Sequence, residues 1–396
     1  MTAARSRLFS PHFFVMCGFT FTVFLSAFQL LPTAPFRILD LGGSTSASGL
    51  FLGFLTYASA GSAPFTGAIA DRIGRRRTLL IASGVILLCA IGYAITTSVA
   101  VMLALVLVHG VFWSGLLSAS AAHLTSLVPE DRRAEGIGYW GLSSVAAIAV
   151  APPIAFWIMG HGGWRWICIS CGCLTVVMGA IAWTLREAAQ AAPPHPAPQH
   201  PAPRTFTIEW RVLIVSITLF LYTFGYGAVT SFSAMYADAI GVTPKSLYLT
   251  LLAIVILMTR PLAGALADRR GHRRVLVPCL AMIAVGLALL PLAASRTLLA
   301  ASAAVFGAGF GTAYPVFVAY MMRDVSAARR GAAFGAILAA FDTGIGTGST
   351  MVGWLIERFG FPAAFGVAAA LSALSLPYFL IADRRSPERL ALQSPD

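Results

Sequence analysis

The chain is 396 residues long, 58% hydrophobic and only 11% charged, with a mean hydropathy of +0.81. These values exclude a string of soluble domains and mark a multispanning membrane protein. The net charge of +12 does not make nucleic acid a partner, because the Arg residues sit in short connectors between apolar runs rather than along one amphipathic face.

From the N-terminus, twelve apolar runs bounded by charge, Gly or Pro are predicted to cross the bilayer. The first half holds 12–33, 47–70, 78–97, 100–122, 135–158 and 164–185; the second holds 211–236, 246–267, 275–294, 297–322, 331–356 and 361–382. Each is close to the roughly twenty residues that a hydrocarbon core of about 30 Å requires. Backbone groups in lipid have to be satisfied within the segment, so the runs read as helices. The first run spans without a small-residue cleavage pattern and is expected to be a retained helix rather than a cleaved signal.

With the N-terminus inside, five basic residues fall in outer loops (Arg37, Arg165, Lys245, Arg296 and Arg358), Arg260 lies within a span, and the rest of the 27 Lys and Arg face inward. The excess of Lys and Arg in cytoplasmic loops therefore sets both termini in the cytoplasm of a bacterial inner-membrane (plasma membrane) protein. Between the halves, Glu187 to Arg204 carries the string AAPPHPAPQHPAPR, where repeated Pro forbids a helix and favours an extended spacer. The organisation expected is a six-helix bundle over 1–186, a cytoplasmic linker over 187–210, a second six-helix bundle over 211–384 and a tail over 385–396.

No metal or other cofactor is expected. Cys168, Cys171 and Cys173 cluster in the sixth run with only His161 in reach, and small apolar packing is the simpler role for them. His195 and His200 lie in the linker and read as solvated. No nucleophile and base set or phosphate-binding Gly loop suggests an enzyme.

The string GAIADRIGRRR, from Gly67 to Arg77, returns as GALADRRGHRR, from Gly264 to Arg274. The same offset of 197 positions carries Gly110 onto Gly307, Arg132 and Arg133 onto Arg329 and Arg330, Gly138 onto Gly335 and Gly163 onto Gly360, so the halves are related. Gly74 permits a tight turn, Gly67 lets another helix approach, and Asp71 at a helix end suits an Arg partner or a helix N-terminus.

Gly67, Asp71, Arg72, Gly74, Arg75 and Arg76 match the G-x-x-x-D-R-x-G-R-R signature of the major facilitator superfamily, as do Gly264, Asp268, Arg269, Gly271, Arg273 and Arg274. The chain thus resembles that family over its whole length. The resemblance implies an all-α membrane fold of twelve transmembrane helices in two pseudo-twofold-related six-helix bundles. It implies a monomer that moves a small-molecule substrate, commonly with protons, by alternating access. It also implies a cytoplasmic gate in which these residues latch the bundles, with Arg132 or Arg133 and the start of the eleventh span near Gly331 as partners.

Finer features point in different directions. The fifth span carries Gly138, Ala147, Ala151, Pro152 and Ala155 where drug:proton antiporters of the family have G-x8-G-x3-G-P-x2-G. The string HGVFWS around His109 and Gly110 resembles the sugar-efflux (arabinose efflux) branch, while Val106 stands where proton-coupled members have Arg. Asp342 is the one acid deep in a span, about eleven residues or roughly 16 Å past Gly331. It reads either as a proton site or as the ion-pair partner of Arg260. His109 reads either as a proton carrier or as a neutral hydrogen-bonded group. Ser26 and Gln29 belong to a polar stripe with Thr22 and Thr33; with Trp113, Tyr222, Tyr226, Phe310 and Tyr314 they are expected either to line a substrate cavity or to serve as packing glue. Proton-coupled efflux of a drug, sugar or natural product is the leading expectation. Import of a sugar or organic acid by a symporter or facilitator is the alternative, and a non-transporting receptor or assembly protein the remaining class.

Overall fold

The computed structural model describes residues 8–129, 132–185, 210–323, 325 and 330–384. Most of the expected linker, with His195 and His200, lies outside them, as do Arg5, Arg7, Arg186, Arg204, Arg329 and the tail from 385.

The described residues form helices joined by short turns: α1 (Pro11–Leu30), α2 (Ala34–Asp40), α3 (Thr45–Ile73), α4 (Arg75–Ile95), α5 (Val99–Leu127), α6 (Arg133–Thr184), α7 (Trp210–Ala239), α8 (Leu247–Arg270), α9 (His272–Leu289), α10 (Arg296–Met322) and α11 (Arg330–Arg384). Nine segments among the described residues are long and apolar enough to cross a membrane. Two of these, in α6 and α11, cross twice, because Gly163 (φ 71°) and Gly360 (φ 78°) fold each into two limbs without a loop. Adding α3, 29 residues long and rich in Gly, Ser and Thr, gives the twelve crossings anticipated. The first run was expected to continue to residue 33; instead α1 ends at Leu30 and the short α2, opened by Pro35, follows after one turn.

Helix starts are set locally. Ser10, Ser44, Ser98 and Ser295 each accept a hydrogen bond from the backbone N–H three residues on, satisfying a donor that the first turn leaves orphaned. Ser98 and Ser295 are repeat equivalents, as are Gly163 and Gly360, so the duplication is visible in backbone geometry. It is visible in packing too. Gly110 on α5 presses against the Leu55 carbonyl of α3, and Gly307 on α10 lies so close to α8 that a Cβ there would stand 2.8 Å from the carbonyl of the equivalent Leu252.

In the first half α1 packs on α6, α4 on α5 and α6, and α3 on α5; in the second α7 packs on α11, and α10 on α8 and α9. The halves meet chiefly along α3 against α11 and α6 against α8. Ala147, Ala151 and Ala155, the residues read as replacing Gly in α6, are fully buried, so their small size serves close helix packing.

Candidate functional site

The α3–α11 seam runs antiparallel and changes character along its length. At one end it is tight. The Ser46 backbone N–H donates to Glu357 Oε2 at 2.9 Å, and Ser349 Oγ donates to the Gly49 carbonyl at 2.8 Å while sharing a 2.7 Å hydrogen bond with Ser231 of α7. Gly49 and Gly353 face each other so closely that a Cβ on Gly353 would lie 3.1 Å from the Gly49 Cα. Further along, Tyr57 and Thr347 share a hydrogen bond of 2.9 Å. Beyond the seam at the same end, Lys245 lies 5.2 Å over the ring of Phe36, again linking the halves.

Toward the other end, the contact lapses. Gly61 and Gly67 on α3, and Gly335 on α11, have no atom within 4 Å of where a Cβ would stand. Phe65, Ile69 and Phe334 are exposed there. The two halves are therefore joined at the Ser46–Glu357 end and splayed at the end that carries both signature turns.

The signature turns share one geometry. Gly74 (φ 97°) caps α3 and starts α4, and Gly271 (φ 86°) does the same between α8 and α9; a left-handed backbone of this kind favours Gly. Asp71, Arg72, Asp268 and Arg269 are exposed, and neither Asp has an ion-pair partner among the described residues. Arg132 is held by Glu135 on its own helix through Nε at 2.9 Å and Nη2 at 2.8 Å, while the side chains of Arg133 and Arg330, and the surroundings of Gly331, lie outside the described residues.

The equivalent positions Arg76 and Arg273 dock onto their own halves by different means. Arg76 lies 5.2 Å over the Trp183 ring of α6, whereas Arg273 Nε stands 3.0 Å from Asp383 Oδ2. That second contact is an ion pair rather than an aligned hydrogen bond, and the buried Asp383 also accepts a hydrogen bond from Tyr320 of α10.

Where seam and splay meet, at mid-depth, stands Asp342. Its Oδ2 accepts a hydrogen bond of 3.1 Å from Ser59 Oγ across the seam. It makes no ion pair with Arg260 or with any other described residue, so the structural-pair alternative does not hold in this conformation. Arg260 is half-buried on α8, and Thr259 before it lies against α10, where a Cβ on Gly311 would stand 2.6 Å from its Oγ1. At that level of α10 the rings are ordered: Tyr226 stacks on Phe310 at 4.3 Å and 11°, Tyr222 meets the edge of Phe310 at 5.9 Å, and Tyr314 meets Phe341 of α11 at 4.8 Å.

The remaining expected residues fall elsewhere. His109 is buried inside the first half with Nδ1 3.4 Å from Tyr93 Oη. It borders a small void, with Ser26, Cys168 and Cys171 on its walls and room for about one water. Ser26 and Gln29 are buried against the second limb of α6: Cys171 donates to the Ser26 carbonyl at 3.4 Å and Ser170 to Gln29 Oε1 at 2.9 Å. Thr22, Thr33, Thr223 and Thr230 bond back to carbonyls of their own helices. This stripe is satisfied within its bundle. Trp113 packs edge-on to Phe24 of α1 at 5.3 Å. Sequence reasoning missed Ser59 and the Gly49–Gly353 contact, which pattern within one helix does not reveal.

Comparison with known proteins agrees with this geometry. The family model described as Major Facilitator Superfamily matches residues 13–259 and 215–396. An uncharacterized MFS-type transporter of Pseudomonas aeruginosa (strain UCBPP-PA14) is 29% identical over 383 residues, covering 93% of each chain. Among solved structures, the D-xylose-proton symporter superposes with a TM-score of 0.74 at 15% identity, over 93% of this chain and 97% of that one. A bacterial homolog of the human lysosomal transporter Spinster, in an inward-facing and occupied conformation, gives 0.75 at 15% identity over 96% and 97%. The chain belongs to the Major Facilitator Superfamily and is a multispanning membrane transporter of that fold, not an enzyme.

Proposed function

We propose that this transporter works by alternating access between two six-helix bundles, over 1–186 and 211–384, and exports a small organic solute in exchange for protons through Asp342. Both termini face the cytoplasm of a bacterial inner membrane, so the splayed end, rich in Arg, is the cytoplasmic one. The observation that carries the reading is the Ser59–Asp342 hydrogen bond: one deep acid, on the line where the halves hinge, bonded across them. A carboxylate accepts from Ser59 more strongly than a neutral carboxyl does, so protonation weakens the hold between α3 and α11 at mid-depth. Proton binding and bundle movement are thereby tied to one group. In the opposite state the cytoplasmic ends approach; Gly67 then admits α11, and Asp71 and Asp268 become available to partners across the gap.

The direct test is transport in proteoliposomes under an imposed pH gradient. Wild type is expected to concentrate its solute against inward proton flow, and Asp342→Asn to retain exchange while losing at least tenfold of the gradient-driven component. Equal gradient-driven flux in both proteins removes the coupling claim. Import with protons is the second reading. It is favoured by Val106 in place of the usual Arg and by a first span without acid, and the fold likeness to the D-xylose-proton symporter is compatible with it. Uptake by right-side-out cells separates the two.

A further inference from the structure

Arg260 sits in the middle of α8, thirteen residues and about 20 Å from its start at Leu247. A guanidinium at that depth is costly, and it ordinarily has a carboxylate or a row of carbonyls to answer it. Here it has neither. No ion pair or hydrogen bond to a described residue is made by Arg260, and Asp342 is bonded instead to Ser59. What stands at the level of the cation is aromatic: a Cβ on Gly311 of α10 would lie 2.6 Å from Oγ1 of Thr259, the residue before Arg260, so α8 meets α10 between Phe310 and Tyr314, where Phe310 is stacked with Tyr226. The Tyr222 hydroxyl in the same cluster is buried without a partner. Arg260, Tyr314 and Phe341 are each half-buried, so the cluster keeps one accessible side.

We propose that Arg260 is the anchor of a binding site for a planar aromatic monocarboxylate, whose carboxylate the guanidinium grips and whose ring lies against Tyr226, Phe310 and Tyr314. The chemistry is specific at three points. The rigid donor fork of Arg matches a carboxylate through two parallel hydrogen bonds, which Lys does not reproduce. Stacked and edge-on rings form an apolar wall that accepts another ring in offset geometry. The single cation supports one negative charge, while Asp342, next to the Phe341 that meets Tyr314 at 4.8 Å, opposes a second. The site therefore takes monoanions over dianions and over neutral analogues. This inference rests on the transport reading above, since it gives that pathway its solute class.

The test uses the full chain, purified in nanodiscs, with benzoate, 4-hydroxybenzoate and cinnamate as probes, each against its own amide and with phthalate as a dianion, read by thermal shift and equilibrium dialysis. At least one acid is expected to bind more than tenfold better than its amide and better than phthalate. Arg260→Met is expected to lose tenfold or more of that binding while melting within a few degrees of wild type without ligand. Acids and amides that bind alike, a panel in which no acid binds, or wild-type affinity in Arg260→Met overturns the assignment. Should Arg260→Met fail to fold, Arg260→Lys carries the test: tenfold weaker binding supports the forked contact, and undiminished binding overturns it. Asp342→Asn separates this claim from the transport reading. If that variant loses proton-driven flux while no acid binds the wild type, only the solute assignment falls. If the acids bind and its flux is unchanged, only the coupling through Asp342 falls.

Discussion

At the scale of residues, buried charge is concentrated where the helices need fixing. Asp383 is 1% exposed and pairs with Arg273, tying the start of α9 to the second limb of α11, while Tyr320 adds the end of α10. Removing one partner of a fully buried pair costs roughly 3–5 kcal/mol; Arg273 is about one-third exposed, so Asp383→Ala is expected to lose about 2 kcal/mol. Thermal unfolding in detergent checks this, and an unchanged melting temperature contradicts it. Gly74→Ala and Gly271→Ala place a Cβ on left-handed backbone and are expected to cost about 1 kcal/mol each, in either order of introduction. Gly74 was legible in the sequence as a turn residue of the repeated string, but the predicted spans left 71–77 and 268–274 as connectors where the structure turns on Gly74 and Gly271 alone. Gln29 was not legible. Its position on a polar stripe suited a cavity, yet its carbonyl is satisfied by Ser170 on a helix far along the chain, a pairing that helical periodicity cannot encode.

At the scale of elements, the seam between α3 and α11 is built from small residues. Gly49 and Gly53 on α3 and Gly346 and Gly353 on α11 all meet the facing helix with no room for a side chain. Close approach of this kind is how helices associate in lipid, where apolar surface alone gives no drive. A bulky residue at Gly49 is expected to prise open the joined end and, on the proposed mechanism, bias the protein toward the opposite state. Gly49→Leu should therefore raise alkylation of a cysteine placed at Thr347 from the outside by severalfold, and unchanged labelling contradicts the role of the seam. Twelve crossings were countable from apolar runs. The joining of two runs into α6 and two into α11 was not, since the predicted spans left 159–163 and 357–360 as loops, whereas the helices turn at Gly163 and Gly360 without one. The partner of α3 was likewise hidden: composition marks a helix as able to pack closely, but only the fold names its neighbour.

At the scale of the whole molecule, duplication gives two related halves that share one large buried apolar cluster, with a second cluster confined to the first half, and the proposed rocking turns on the seam between the halves. The central claim is that the contact seen at the Ser46–Glu357 end and the gap at the signature end exchange during the cycle. Spin-label distances measure this most directly, in nanodiscs, on a background from which the six native cysteines have been removed. One label pair at Ile69 and Phe334 reports the signature end, and another at Ser46 and Arg358 reports the joined end. The account predicts that changing pH or adding a bound solute shortens the first distance and lengthens the second within the same protein population. Two fixed distances, or two that grow and shrink together, would contradict it.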